Sequence, residues 1–280
     1  MTARRLDGQA LAHEWELLLT ERVAKCITRG VTPRLAVAVS TNDPSAQVYL
    51  AAKRRVAARV GIDVVVRSLS SPSTEAIVRL IDAWTHDAQI TGIVLEAPLP
   101  THIDTAAVRN ALPTAKDVDG AGVASLGRLL AGEPVFPPAT AEAALALAET
   151  VSPLAGRRVV VLGRSLVVGR PLAILATARD ATVTVCHSKT RDLAERTREA
   201  EVLFVAVGRP GLVTGEMVRV GATVIDIGIN VADGRLVGDV DADTVAPIAG
   251  ALSPVPGGVG PLTTIVLLEH VVQAAERATV

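Results

Sequence analysis

The feature that most constrains the fold is a continuous apolar run that ends abruptly at a glycine. Val159 to Leu162 form the run, Gly163 follows it, and a second glycine, Gly169, stands six residues later. Such a run is typical of a strand buried on both faces of a parallel sheet. Two glycines placed in this way predict a tight turn into a helix whose N-terminus favours an anion, such as the pyrophosphate of a dinucleotide. Because the spacing differs from the common Gly-x-Gly-x-x-Gly fingerprint, a tight turn without a ligand is an equal alternative.

The chain after this helix indicates which dinucleotide would bind. A second apolar run, Ala181 to Val185, leads into Cys186-His187-Ser188-Lys189-Thr190. An NAD-binding unit usually has an acidic residue near this point, which binds the ribose 2′-hydroxyl. Here a hydroxyl and a cation stand in its place, and Arg164 lies in the first loop. These groups suit a 2′-phosphate better, so the sequence predicts NADP; the alternative is a solvated loop with a chance lysine.

Length and charge exclude several classes of protein. At 280 residues the chain is long enough for two α/β domains, and its net charge of −1 argues against a nucleic-acid partner. No apolar run reaches ~18 residues and the N-terminus has no signal-peptide core, so we expect a cytoplasmic protein without a membrane partner. Cys26 and Cys186 fit a reducing cytosol, and neither belongs to a cluster with metal-ligand spacing.

Strand-like and helix-like segments alternate along the chain, a pattern that predicts an α/β fold with a doubly wound parallel sheet. Predicted strands are 34–40, 63–67, 92–96, 159–162, 181–185, 202–207 and 222–227. Predicted helices are 9–28, 43–59, 73–87, 104–112, 140–150, 171–179 and 262–278. Prolines at 134, 137 and 138 mark the bridge between domains. The loop 253–261 is too rich in proline and glycine to be regular, and the final helix is expected to pack back on the first domain.

Lysine is rare in this chain, which draws attention to the lysines that occur. Of 28 basic residues only four are lysines: Lys25, Lys53, Lys116 and Lys189. Since arginine serves elsewhere as the generic cation, a retained lysine suggests that its proton-exchanging ammonium matters. Lys53 lies four residues after Tyr49, the only tyrosine, so the two share a helix face. Glu96 falls at the carboxyl end of a predicted strand, where ligands of α/β sheets bind. The alternative is that Lys53, with Arg54 and Arg55, forms a solvated basic face.

Six segments carry a more specific signal. They are Tyr49-Leu-Ala-Ala-Lys53, Gly92-Ile-Val-Leu-Glu-Ala-Pro-Leu-Pro100, Lys116-Asp-Val-Asp-Gly120, Gly163-Arg-Ser-Leu-Val-Val-Gly-Arg-Pro171, Ile225-Asp-Ile-Gly-Ile-Asn230 and Pro254-Val-Pro-Gly-Gly-Val-Gly-Pro261. Together, and in this order, they resemble the bifunctional methylenetetrahydrofolate dehydrogenase/methenyltetrahydrofolate cyclohydrolases. The resemblance covers nearly the whole chain, and its third and last segments are the most specific.

The resemblance implies two α/β lobes flanking a cleft that binds folate. Residues 1–138 would form the folate and catalytic domain, with the helix 262–280 returning to it. Residues 139–261 would form a Rossmann-like domain that binds NADP, and the protein would be a homodimer. Its reaction would be oxidation of 5,10-methylenetetrahydrofolate by NADP⁺, followed by hydrolysis of the methenyl product to 10-formyltetrahydrofolate.

Site residues follow from the resemblance position by position. Lys53 would be the acid/base group of the hydrolysis, with Glu96 beside it; Tyr49 would pack against the folate, and Asp119 would bind the pterin. Further folate contacts would come from Pro98, Leu99, Pro256, Gly257, Gly258 and Val259. The cofactor would contact Gly163, Arg164, Ser165, Val168, Gly169, His187, Ser188, Val207, Gly208, Gly228 and Ile229.

Three departures from the family pattern fall near the predicted active site. Glu96 replaces a glutamine that contacts the catalytic lysine. Ala46 replaces a serine, with Ser45 displaced by one position, and Pro137-Pro-Ala-Thr140 replaces a Pro-Cys-Thr-Pro turn. Opposite charges ~4 Å apart interact by about 4 kcal/mol at an effective dielectric constant of ~20. A carboxylate beside Lys53 therefore favours the charged ammonium and hinders it as a base.

The first departure leads to a hypothesis: dehydrogenase activity survives while hydrolysis is weak or lost. The opposite outcome is that Glu96 itself acts as the base. Two other functions stay open at this point. One is a degenerate paralogue that binds NADP or folate without turnover, and the other is an NADP-dependent oxidoreductase with a non-folate substrate.

Overall fold

The structure is a computed structural model that describes residues 2–40, 44–232 and 234–278, with all of their side chains except those of residues 44, 45 and 48. The strands are β1 (Arg4–Arg5), β2 (Arg34–Val39), β3 (Asp63–Ser68), β4 (Gly92–Leu95), β5 (Arg158–Leu162), β6 (Thr182–Cys186), β7 (Val202–Val205), β8 (Thr223–Asp226), β9 (Asn230–Ala232), β10 (Arg235–Val237) and β11 (Ala251–Leu252). The helices are α1 (Gly8–Thr28), α2 (Pro44–Val60), α3 (Thr74–His86), α4 (Thr105–Asn110), α5 (Val123–Leu130), α6 (Ala139–Glu149), α7 (Gly169–Thr177), α8 (Leu193–Arg198), α9 (Ala242–Val245) and α10 (Val259–Ala278). A 3₁₀ turn covers Gly215–Met217.

The chain divides into two compact units. The first comprises residues 1–12 and 140–263, and the second comprises residues 13–139 and 264–280. Each unit contains its own parallel sheet, as the alternation of strands and helices predicts.

The first unit is built on a six-stranded sheet with the order β1-β11-β8-β7-β5-β6, and all of its strand pairs are parallel. The carboxyl ends of the four long strands are level. Leu162 pairs with both Cys186 and Val205, and Val205 pairs with Asp226. The central strands are buried apart from Arg158 and are mainly apolar, as is typical of parallel strands covered on both faces. The predicted Rossmann-like parallel sheet is confirmed.

The second unit contains a three-stranded parallel sheet with the order β3-β2-β4. Its core joins the central strand β2 to the apolar face of α3, where Ile77, Ile81 and Trp84 are buried. Ser73 caps this helix, because its hydroxyl accepts a hydrogen bond from the backbone N–H of Ala76.

The last helix packs against the first, as predicted. Arg22 of α1 donates hydrogen bonds to Glu276 at 2.9 and 2.8 Å and to Glu269 of α10 at 2.8 Å. Helix α10 begins at Val259, three residues before the predicted start, so the end of the Pro- and Gly-rich segment is helical and not irregular. Pro261 is compatible with this because it lies in the first turn, where backbone N–H groups have no partner within the helix. The N–H that proline lacks is therefore not missed.

Several short elements were not predicted: β1, β9, β10, β11, α5, α8 and α9. Strands of two or three residues are too short for a periodic signal, and β1 pairs with β11 from the opposite end of the chain. In the described parts of the chain, no helix is both long enough and apolar enough to cross a membrane.

Candidate active site and cofactor loops

Lys53 and Glu96 meet beyond the carboxyl ends of two paired strands. Helix α2, which carries Lys53, follows β2, and Glu96 comes directly after β4. The ammonium of Lys53 contacts both carboxylate oxygens of Glu96, at 2.9 and 2.6 Å. The two side chains are only 13% and 7% exposed. Lys53 is therefore not part of a solvated basic face, although its neighbours Arg54 and Arg55 are exposed.

Tyr49 lies one helical turn before Lys53 and is half-buried. Burial raises the pKa of Tyr49, so its phenol is neutral at physiological pH and offers an apolar ring with one hydroxyl. Ala46, the residue that replaces the family serine, is fully buried and supplies no hydrogen-bonding group. The side chain of Ser45 lies outside the described residues.

Asp119 lies in a loop whose conformation is fixed by hydrogen bonds of its neighbours Lys116 and Asp117. The buried carboxylate of Asp117 accepts hydrogen bonds from the N–H groups of Ala121 and Gly122 and from the hydroxyl of Ser125, and so anchors the start of α5. The N–H of Ile93 in β4 bonds the carbonyl of Lys116 at 2.7 Å, which ties the loop to the sheet. Asp117 is thus a structural residue, whereas the neighbouring Asp119 makes no such backbone contacts among the described residues.

The carboxyl group of Asp119 has an unusual electrostatic environment. Burial raises the pKa of Asp119 to about 6, a rise that the charge of Lys53 opposes and those of Asp117 and Glu96 reinforce. Asp119, Lys53 and Glu96 therefore form one coupled group of charges, and the structure brings together these three predicted residues.

Replacing Asp119 by Asn is expected to stabilise the protein above neutral pH. The folded-state pKa of about 6 lies above the ordinary value of 3.8, so the ionised carboxylate destabilises the fold above pH 6, and this cost disappears as the pH falls below 3.8. The variant should gain about 3 kcal/mol in unfolding free energy at pH 8 and about half of that at pH 5, as measured by urea denaturation. Asp82→Asn, at an exposed aspartate, should change stability by less than about 0.5 kcal/mol. A gain that is equal at both pH values contradicts this assignment.

Lys116 has a structural role. Its ammonium donates to the carbonyls of Trp84, Thr85 and Asp87 at 3.0, 2.9 and 2.8 Å, at the C-terminus of α3. An ammonium presents three donors from one atom and interacts favourably with a helix C-terminus. The rare lysines therefore have different partners: Lys53 forms a buried ion pair with Glu96, and Lys116 binds the carbonyls at a helix C-terminus.

His270 was missed by the sequence analysis. It is buried in α10, and its Nδ1 lies 2.7 Å from the carbonyl of Val118, the residue before Asp119. Its ring also packs on Phe136, with the ring centroids 5.2 Å apart. The only sequence signal is a histidine within the apolar run of the last helix, which by itself does not indicate a partner.

The residues predicted to contact folate differ in exposure. Pro98 and Pro256 are exposed and each follows a cis peptide bond, while Leu99 is partly buried against the core. Gly257 has a φ of +105°, a backbone conformation that favours glycine. Gly258 is buried, and a Cβ at this position would lie only 2.6 Å from the carbonyl oxygen of Pro254. Val259 is only 4% exposed, so its side chain packs inside the protein.

The predicted cofactor residues lie in four loops of the first unit. Gly163 to Ser165 follow β5, His187 and Ser188 follow β6, Val207 and Gly208 follow β7, and Gly228 and Ile229 follow β8. Because these strands are parallel and end at one level, all four loops lie along the same edge of the sheet. This edge is where open α/β sheets bind ligands.

The loop after β5 is shaped by its two glycines. A Cβ on Gly163, which has a φ of +134°, would collide with the carbonyl of Ala206, and a Cβ on Gly169 would collide with the carbonyl of Gly163. The Ser165 hydroxyl accepts from the N–H groups of Val168 and Gly169 at 3.2 and 3.4 Å, so it stabilises the turn that leads into α7. Ser165 thus shapes the turn, and Arg164 is exposed beside it.

Comparisons with known proteins agree with this geometry. The profile of the tetrahydrofolate dehydrogenase/cyclohydrolase catalytic domain matches residues 6–119, and that of the NAD(P)-binding domain of the same family matches residues 138–279. The bifunctional protein FolD of Parafrankia sp. (strain EAN1pec) is 48% identical over 273 residues, which cover 97% of this chain and 99% of that protein.

Two solved structures are also similar. The bifunctional enzyme FolD of Campylobacter jejuni is 35% identical, with a TM-score of 0.95 and coverage of 98% of this chain and 99% of the other. The Trypanosoma brucei methylenetetrahydrofolate dehydrogenase-cyclohydrolase, complexed with NADP cofactor and inhibitor, is 36% identical, with a TM-score of 0.94 and coverage of 99% and 98%. The chain therefore belongs to the FolD family of bifunctional methylenetetrahydrofolate dehydrogenase/methenyltetrahydrofolate cyclohydrolases and contains that family's NAD(P)-binding domain.

Proposed function

We propose that this enzyme oxidises 5,10-methylenetetrahydrofolate with NADP⁺ and hydrolyses the methenyl product only weakly. The observation that carries the proposal is the two-oxygen contact between Lys53 and Glu96. A glutamine amide in the same place would offer the lysine one neutral acceptor, whereas the carboxylate stabilises the charged ammonium. An ammonium has no lone pair, so Lys53 cannot take a proton from the attacking water while it is held in this ion pair.

The two chemical steps place different demands on these residues. Hydride transfer requires mainly alignment of the folate carbon with the nicotinamide, and it produces a methenyl cation. The paired Lys53 and Glu96 have no net charge and do not repel this cation, so the pair is compatible with the oxidation. Hydrolysis in addition requires proton transfer while water attacks, which general acid–base catalysis accelerates by about 10²–10⁴-fold.

The residues that we propose act on folate are Tyr49, Lys53, Glu96 and Asp119, in the domain of residues 1–138 and 262–280. Further folate contacts would come from Pro98, Leu99, Pro256, Gly257, Gly258 and Val259. The cofactor would bind the four loops in the domain of residues 139–261. In our proposal the enzyme works in the cytoplasm as a homodimer, with no nucleic-acid or membrane partner.

The preference for NADP over NAD rests on the charges at the sheet edge. Ser188 and Lys189 are exposed after β6, and Arg164 is exposed after β5. No acidic residue stands at positions 187–191, where an NAD-binding unit would have one for the ribose 2′-hydroxyl. A cationic environment favours the 2′-phosphate of NADP.

A spectrophotometric assay of both steps tests the proposal. With methylenetetrahydrofolate and NADP⁺, the methenyl absorbance should rise with NADPH and then persist, and with NAD⁺ the rate should be at least tenfold lower. Formation of NADPH without any build-up of the methenyl signal would show that hydrolysis is intact. Folate and NADP binding without NADPH formation would instead support a degenerate paralogue.

A further inference from the structure

Three consecutive backbone N–H groups after β7 converge on one buried carboxylate. Val207 and Gly208 donate to Oδ2 of Asp239 at 2.6 and 2.9 Å, and Arg209 donates to Oδ1 at 2.8 Å. The Asp239 side chain is fully buried. Successive N–H groups that point to one side form a concave anion site, and here a side chain of the protein itself fills that site.

The same carboxylate also contacts the loop after β8. The side-chain amide of Asn230 donates to Oδ1 of Asp239 at 2.9 Å. A Cβ on Gly228 would collide with the Asp239 carboxyl group, so only glycine permits this approach. Asp239 therefore joins two of the four loops at the carboxyl edge of the sheet.

A second buried carboxylate fixes the backbone of Asp239. Asp226, the last residue of β8, accepts from the N–H groups of Asp239, Val240 and Gly228 at 3.0, 2.9 and 2.9 Å. The segment that carries Asp239 is thereby held against the end of the sheet. Two sets of hydrogen bonds therefore fix the carboxylate of Asp239: those that its oxygens accept from the loop, and the one that its own backbone N–H donates to Asp226.

We propose that Asp239 is a positioning residue for the nicotinamide cofactor. It acts by holding the loops of residues 207–209 and 228–230 in a fixed relation along the sheet edge. The inference rests on the proposed function, in which these loops contact NADP. Because the three N–H groups are already bonded, they are not available to a cofactor phosphate; the loops are presented to the cofactor as a rigid surface instead.

The test compares Asp239→Asn with Asp239→Ala in the full chain. Asparagine retains one oxygen for Val207 and Gly208, while its amide opposes the N–H of Arg209; alanine leaves all three N–H groups without their partner. The KM for NADP⁺ should rise about fivefold or more in the Asn variant and further in the Ala variant. The KM for methylenetetrahydrofolate should stay within about twofold of the native value.

Thr244→Val is the matched control. Thr244 lies in the same unit, and its hydroxyl accepts from the N–H of Gly215, which is not one of the predicted cofactor residues. The control should leave both KM values unchanged even where its thermal midpoint falls. Suppose that Asp239→Asn lowers stability and either raises both KM values by the same factor or changes neither of them. Asp239 then has only a structural role and the inference is wrong.

Direct binding separates this inference from the proposed function. NADPH fluorescence on mixing with the native chain measures cofactor binding without turnover. If the native chain does not bind NADPH, the proposed function fails. If the native chain and Asp239→Asn bind NADPH equally well, only the role of Asp239 is overturned. The Asn measurement is sufficient where the Ala variant does not fold.

Discussion

Glu96→Gln should hydrolyse methenyltetrahydrofolate about 10- to 100-fold faster than the native chain. The substitution keeps the size of the side chain and one oxygen acceptor, but it removes the charge that holds the Lys53 ammonium at 2.6 Å. Lys53 is then no longer held in an ion pair, and it can exchange a proton with the attacking water. The oxidation step, which depends on alignment of two bound ligands, should change by less than about threefold. Decay of the methenyl absorbance measures the first rate, and formation of NADPH measures the second.

Glu96→Asp is the matched control, because it shortens the side chain by one methylene but keeps the charge. It should show no gain in hydrolysis. If Glu96→Gln also shows none, the carboxylate is not what limits the step. If hydrolysis falls in Glu96→Gln and is partly retained in Glu96→Asp, Glu96 is itself the base.

Lys53→Met should abolish whatever hydrolysis the native chain retains and should also destabilise the protein. Methionine has a similar length but neither donates nor accepts the proton, so a loss of at least about 100-fold is expected. Glu96 would be left as a buried carboxylate without its partner, which costs roughly 3 kcal/mol. Methenyl decay and urea denaturation at pH 7.5 measure the two effects.

The double variant Lys53→Met/Glu96→Gln separates these two effects. It should recover most of the lost stability, because no charge is left unpaired, but it should recover no hydrolysis. Arg128→Met serves as a control, since Arg128 and its partner Glu133 are 45% and 56% exposed and such a pair contributes less than about 1 kcal/mol. Recovery of hydrolysis in the double variant would exclude Lys53 as the acid/base group.

Much of the fold could be predicted from periodicity and glycine placement. The buried run before Gly163 predicted β5, and the later runs predicted β6, β7 and β8. The argument is strongest for β5 and β7, whose buried residues are all apolar because both faces of these strands are covered. The predicted helix 73–87 differs from α3 by one residue at each end, where Ser73 and Asp87 are the cap residues. The strands β1 and β11 could not be predicted, since two residues carry no periodic pattern and their pairing joins distant parts of the chain.

The candidate site was predictable where its residues stand at strand ends. Glu96 and Gly163 are examples, because the carboxyl ends of parallel strands form one edge whatever the rest of the fold. Asp117, Asp239 and His270 could not be given roles in this way. Asp239 and His270 contact backbone groups in distant segments, which have no signature in the sequence. The partners of Asp117 are near in sequence, but they become partners only once the chain turns into α5.

By itself, the sequence determined the α/β class, the parallel sheets, the family resemblance and the unusual acidic residue at position 96. These depend on local pattern and residue identity, which the chain carries without folding. Only the tertiary structure decided that both carboxylate oxygens of Glu96 contact Lys53 and that Lys116 binds the carbonyls at a helix C-terminus. It also decided that the carboxylate of Asp239 accepts the N–H groups of the loop after β7. The physical reason is that a hydrogen bond is set by distance and direction between groups far apart in the chain, and folding alone brings those groups together.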